Sequence, residues 1–244
     1  MALTKVTTGT IASETIKSAN IEDGAIVNAD VNASAAITAS KLSGVESGLT
    51  SVQTFTSSGT WTKPSGITKV MVEVQGAGGA GTKGSTAGQR NSGGGGGYAR
   101  KLIDVSSIST ATVTVGAGGA GSTSAHVTGA AGGDSIWSDG TNTVTGSGGG
   151  AGDGSATNYD TGLGGSGTGG DLNVSGGVGG SSLGTDSGGG SFLGISPHTQ
   201  YASSRAGGLD GILGSGGSDV YSTYPSAAHG GNGGDGIVIV TEYK

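Results

Sequence analysis

Cysteine is absent from the 244 residues. Neither a disulfide framework nor a zinc–cysteine site is therefore available. Proline occurs only three times and aromatic residues make up 4% of the chain. Charged residues are scarce as well, at 11%, and their balance is −6. That sign does not suit a phosphate-backbone binder, which needs a basic face. The low charge fraction also differs from that of a disordered acidic tail. Apolar residues reach 32%, against about 45–50% in ordinary globular proteins, which argues against one large side-chain core. No run approaches about 18 apolar residues, so no membrane-spanning helix is expected. The opening MALTKVTTGT lacks the apolar stretch of a signal peptide. Synthesis in a cytoplasm without a cleaved signal is expected.

Glycine is what the chain has in excess. It supplies 57 residues, 51 of them between Gly76 and Gly236. Collagen is excluded, because the spacing is not a strict G-X-Y and proline is rare. A flexible linker of this length between two good strands would be exceptional. An extended, threefold, left-handed helix of polyproline II geometry fits better. It makes no internal hydrogen bonds. Glycine keeps its N–H and has no Cβ, so such helices can pack closely and bond laterally. Ordering glycine is entropically costly, and dense lateral bonding must offset that cost.

The hexapeptide GAGGAG occurs at 76–81 and at 116–121. Its GxGxxG pattern is the phosphate turn of dinucleotide folds only where a helix follows directly. TKGSTAGQRNSGGGGG follows one copy and STSAHVTGAAGGDS the other. Neither supports a helix, so no cofactor is expected. GGNGGDGIV, residues 230–238, matches the calcium-binding nonapeptide pattern but stands singly, with GTGGDLNV near Asp171 as a partial echo. Such sites need oxygen ligands from adjacent repeats, and no metal is assigned. His126, His198 and His229 show no ligand spacing. Glycoside cleavage needs two convergent carboxylates. Asp153, Asp160, Asp171 and Asp186 offer no distinguishable pair, and the chain is read as non-enzymatic. Nine Asp and no Glu lie between Ser106 and Gly236, and turn-building accounts for many of them.

Residues 1–50 have their own pattern. Val6, Ile11, Ile16, Ile21, Ile26 and Val31 recur every five residues, and Ile37 and Leu42 resume the step after one insertion. Neither a helix nor a strand keeps such a series on one side. A coil turning a corner every five residues does. Such repeats do not bury their apolar edge as a short single piece, so a stalk or docking segment threaded with copies of itself or a partner is expected. Residues 51–244 form the second domain. VQTFTSSGTWTKPSG reads as strand, turn and short return, and ITKVMVEVQ alternates with Val70, Val72 and Val74 on one face. YARKLIDV, TATVTV, DSIW, NTVT and GIVIVTEY are further strand candidates, and no segment has helical periodicity with caps. The expected fold is all-β: a sandwich-like framework enclosing a glycine array.

TFTSSGTWTKPSGITKVMVEVQGAGGAG, GGGGGYA, TVTVGAGGAG, GGDSIW and GGNGGDGIVIVTEY, in that order, resemble the glycine-rich domain of bacteriophage tail fibre and adhesin proteins. The resemblance covers Thr54 to Tyr243. The Val6–Leu42 stretch is similar to repeat segments of marine phage tail proteins. The resemblance implies a homotrimeric virion fibre or its tip, made in the host cytoplasm. It implies joining to other virion proteins through the N-terminal segment and loops that bind a host-surface saccharide or outer-membrane receptor. A capsid decoration, head fibre or tail structural component without a receptor is the alternative.

Aromatics carry the site expectation. Phe55, Trp61 and Trp137 read as core. Tyr159, Phe192, Tyr201, Tyr221 and Tyr224 lie in glycine- and serine-rich loops. Large amphipathic side chains there suit a binding surface, or equally staple loops to the array. His198, Gln200, Arg205 and His229 would complete a polar rim.

Overall fold

Alternation along KVMVEVQ puts Val70, Val72 and Val74 on one face of a strand, and all three are fully buried. The computed structural model that shows this describes residues 21–22, 26, 31, 48–84, 90–155, 160–181, 186–199, 207–220 and 229–244; at Asp186, His198 and Thr199 it describes the backbone only. The chain divides into two compact units, Met1–Glu46 and Ser47–Lys244. In the first, Ile21, Ile26 and Val31 are exposed. Val6, Ile11, Ile16, Ile37 and Leu42 of the five-residue series lie outside the described residues.

The second unit is all-β, and no helix occurs among the described residues. Its strands are β1 (Leu49–Phe55), β2 (Gly59–Thr62), β3 (Lys69–Gln75), β4 (Tyr98–Asp104), β5 (Thr110–Thr114), β6 (Ser135–Ser138), β7 (Thr143–Gly146), β8 (Gly167–Thr168), β9 (Leu172–Val174), β10 (Asp186–Ser187), β11 (His198–Thr199) and β12 (Ile237–Tyr243). Two antiparallel five-stranded sheets result, ordered β1-β12-β3-β4-β9 and β2-β5-β6-β7-β8; β10 and β11 pair separately. The inner faces share one apolar cluster, with Val72, Val238 and Val240 from one sheet and Trp61, Val113 and Trp137 from the other. The two indoles meet with centroids 6.1 Å apart and planes tilted by 55°.

Two polar side chains are fully buried where alternation alone suggests solvent or apolar packing. Glu242 on β12 accepts hydrogen bonds from Ser51 Oγ, Gln53 Nε2 and Trp61 Nε1, the last two at 2.7 Å. This satisfies the indole N–H that burial of Trp61 removes from water. Gln75 ends β3 and donates through Nε2 to Gly76 O, Gly96 O and Gly97 O. It marks the place where β3 leaves the sheet and enters the glycine-rich segments.

Beyond Gln75 the bonding period changes from two to three. Gly76, Gly79 and Thr82 donate their N–H groups to Gly97, Gly94 and Asn91. Ala77 and Ala80 donate to Gly133 and Ala130, and Gly78 and Gly81 to Gly234 and Gly231. The carbonyls follow the same period. Ala77 and Ala80 accept from Gly149 and Gly152, Gly78 and Gly81 from Gly119 and Ser122, and Gly79 and Thr82 from Gly217 and Val220. Segment 76–84 thus has six bonded neighbours: three receive its N–H groups and three donate to it. A strand bonds on two sides only.

Segment 91–97 repeats the arrangement. Ser92 and Gly95 donate to Gly180 and Gly177, Gly93 and Gly96 to Gly217 and Gly214, and Gly94 and Gly97 to Gly150 and Ser147. Its carbonyls accept from segment 76–84, from Gly162 and Gly165, and from Gly189. Each of these amides finds a partner, which is how a chain with few apolar side chains holds a buried interior. Contact is too close for side chains: a Cβ on Gly94 would lie 2.1 Å from Leu163 O.

Candidate functional site

The strands of the sandwich feed the glycine segments, and the segments return to strands. β3 leads out through 76–84, and 91–97 leads back into β4; the same holds from β5 to β6, from β7 to β8, and from 214–220 back to β12. Outgoing and returning segments therefore end together, away from the sandwich. At these far ends Thr82 N donates to Asn91 O at 3.0 Å, Asp153 N to Asp160 O at 2.9 Å, and Gly180 N to Ser187 O at 2.8 Å. Lys83 bridges to both Ala125 and Val220, and Asn91 to Ser181. The far end of the array is thus a single surface, on which separate crossings of the chain meet.

Side chains fix this end. Asn91 Nδ2 donates to Asp153 O at 2.7 Å, and Asp153 Oδ1 accepts from Thr128 Oγ1 and Ser155 N. Lys83 Nζ donates to Thr123 O at 3.3 Å. Arg90 and Asp219 are both buried. His126 holds a left-handed backbone, φ 61°. On the flank, Gly150, Ala151, Asp160, Thr161 and Leu163 line an open pocket of about 520 Å³. Leu163 is strongly exposed there.

The structure separates the expected site residues into groups. His229 lies at the far end and donates from Nδ1 to Gly230 O at 2.7 Å. Tyr159, Tyr201, Arg205, Tyr221 and Tyr224 lie outside the described residues, as does Gln200. Tyr159 adjoins Asp160 in the chain and Tyr221 adjoins Val220, two residues of the far surface. His198 lies in β11, paired with Ser187.

Phe192 sits at the opposite end, beside the sandwich. Its ring stacks on Tyr98, with centroids 4.2 Å apart and planes 24° from parallel, and it remains half exposed. Leu193 N, next to it, donates to Gln75 Oε1 at 3.3 Å. The Tyr98 hydroxyl donates to Glu73 Oε1. Burial, that hydrogen bond and the Glu73 charge together push the Tyr98 phenol well above its usual range. No spacing in the sequence links Tyr98 to Phe192, because the contact joins residues 94 positions apart.

Aspartates and asparagines prove to be more than turn-formers. Asp235 Oδ1 accepts from Gly118 N at 2.7 Å and Asn232 Oδ1 from Gly121 N at 2.8 Å. Both the acceptors and the donors are three residues apart, matching the period of the array. Asp134 Oδ1 likewise accepts from Gly148 N, and Asp210 Oδ1 from Asn232 N. These side chains act where a backbone carbonyl is missing at the edge of the array. The calcium-like GGNGGDG stretch thus stitches the array together. Asp139 keeps the turn role, accepting from Thr141 N and Asn142 N. Burial pushes its carboxyl up, but the hydrogen bonds from Asn142 and Thr141 outweigh that and hold it below the usual range. Among the described residues, no group of three or more His, Asp or Glu could hold a metal ion.

A family model described as a glycine-rich domain matches residues 50–243. No curated protein matches the chain.

Proposed function

The chain belongs to the glycine-rich domain family, and from that premise we propose that it is a bacteriophage virion fibre or adhesin, non-enzymatic, whose far-end loops bind a host-surface saccharide or outer-membrane receptor. The observation that carries the reading is the single far surface at which Lys83, Ala125 and Val220 meet. A stiff array that ends in clustered chain crossings is a way to hold variable loops at a fixed distance from an attachment point. Binding residues are commonly carried on loops set by a rigid scaffold. The aromatics Tyr159, Tyr201, Tyr221 and Tyr224, with Arg205 and His229, are the proposed contacts. Flat aromatic faces with little charge suit sugars.

We read the three-residue bonding period as polyglycine helices of threefold symmetry, packed with six neighbours around each inner member. Residues 1–50 are proposed to gather three copies and to join them to other virion proteins. Phe192 is withdrawn from the receptor surface in this reading, because its ring packs on Tyr98 at the sandwich end.

Electron microscopy of virions labelled with gold-tagged antibody to this chain tests the proposal. Label at the tail periphery is the expected result. Label over the capsid would instead make the same fold a decoration protein or head fibre and remove the receptor role.

A further inference from the structure

The two outer faces of the sandwich differ. That of β2 and β5 presents exposed Thr60, Thr62, Thr110, Thr112 and Thr114. In that of β1, β12, β3 and β4 the middle row runs Val52, Thr241, Met71, Leu102, apolar but for Thr241, and Leu102 and Val52 are 49% and 52% exposed. On either side of the Met71–Leu102 row are charged rows, Lys69 opposite Asp104 and Glu73 opposite Arg100. Positive and negative positions thus alternate diagonally around an apolar centre.

We propose that this face pairs two copies of the chain about a two-fold axis. The axis runs across the strands, along the Met71–Leu102 row. Rotation about it carries Glu73 onto the partner's Lys69 and Arg100 onto the partner's Asp104. Met71 and Leu102 meet their own counterparts. Each of these four charges faces an opposite one, the self-complementarity that a two-fold interface requires. Sheets packed face to face stand about 10 Å apart, within reach of these side chains.

The position of Phe192 selects this axis. Its ring lies over Tyr98, beyond the Glu73–Arg100 row. An axis parallel to the strands would bring the two Phe192 loops against each other. The axis across the strands sends each loop past the far end of the partner's sheet, beyond the partner's Lys69. There exposed Phe192 and Ile195 cover the strand ends. Four seven-residue strands make a face of about 19 by 23 Å. That flat area, about 440 Å², is roughly half of the ~800 Å² per partner of a standard interface, and side-chain relief and the overhanging loop add to it. The pairing is independent of the virion reading.

Light scattering on the full chain tests it. The wild type is expected to contain an even number of chains. R100D makes positions 100 and 104 both negative, and D104R makes both positive. Each variant alone is expected at half the wild-type mass. An equimolar mixture is expected to regain the full mass with one of each variant per pair, since Asp at 100 then faces Arg at 104 and the native Asp104 and Arg100 face each other. L102D, which changes one exposed side chain, is expected to halve the mass by itself. An odd number of chains, an unchanged mass in R100D and L102D, or no recovery in a mixture of folded variants overturns the proposal.

Discussion

Gly78 and Ser215 lie so close that a Cβ on Gly78 would stand 1.9 Å from the Ser215 carbonyl oxygen. Backbone, with no flexible side chain to yield, occupies that space. Gly78 also donates to Gly234 and accepts from Gly119, so moving it disturbs two other segments. Gly78→Ala is expected to destabilise the chain by about 1–3 kcal/mol or more in a urea melt. Gly190 gives the contrast: the nearest atom to its Cβ position is Ser196 Cβ at 4.0 Å. Gly190→Ala is expected to be neutral or to stabilise by roughly 0.4–1 kcal/mol, by restricting the unfolded chain. Equal effects at the two positions would mean that lateral packing does not set the glycine content.

The edge acceptors give a second expectation. Asp235→Ala and Asn232→Ala leave the N–H groups of Gly118 and Gly121 without their acceptors. Each is expected to cost about 0.5–1.5 kcal/mol, since water can reach these edge positions. Hydrogen exchange at Gly118 and Gly121 should accelerate locally. Asp235→Asn keeps an acceptor oxygen and is expected to retain most of the protection. Unaltered exchange in Asp235→Ala would show that this bond contributes nothing to holding the edge.

Tyr98 predicts an alkaline limit. Its neutral form is favoured in the folded chain by burial, by the hydrogen bond to Glu73 and by the Glu73 charge. Unfolded, it ionises near 10. A raised folded value means that this stabilisation is intact below about pH 10 and is lost as the pH climbs above it, because only the unfolded chain ionises freely. Tyr98→Phe removes the ionisation and one hydrogen bond. It should be less stable than wild type at pH 9, and the gap should narrow by pH 11. A gap of constant size would refute the linkage.

Much of the framework is legible in the amino-acid pattern. Alternation at Val70, Val72 and Val74 marks the strand and its inner face, and the lack of helix signals agrees with the all-β character of the described residues. The glycine array is different. A run such as Gly93–Gly97 has no side chains, so no periodicity can be written in it. The period of three becomes visible only when Gly93 and Gly96 are found bonded to the same neighbour. Glu242 and Gln75 are illegible for another reason. Alternation fixes which face a residue occupies, and whether a partner such as Trp61 or Gly96 waits there depends on distant chain. The stack of Phe192 on Tyr98 is of the same kind. Tyr159, Tyr201, Tyr221 and Tyr224 are legible in the sequence as large side chains among small polar ones, and the chain's outgoing and returning segments supply the end of the array at which Val220 and Asp160 stand.

The most direct test of the account uses the purified full chain as a competitor of virion adsorption to host cells. Wild-type chain is expected to block adsorption in a dose-dependent way. The triple variant Tyr201→Ala, Tyr221→Ala, Tyr224→Ala, with unchanged light-scattering mass, is expected to block at least tenfold less well. Equal blocking by the two proteins, or none by the wild type, would contradict receptor binding at the far end of the array.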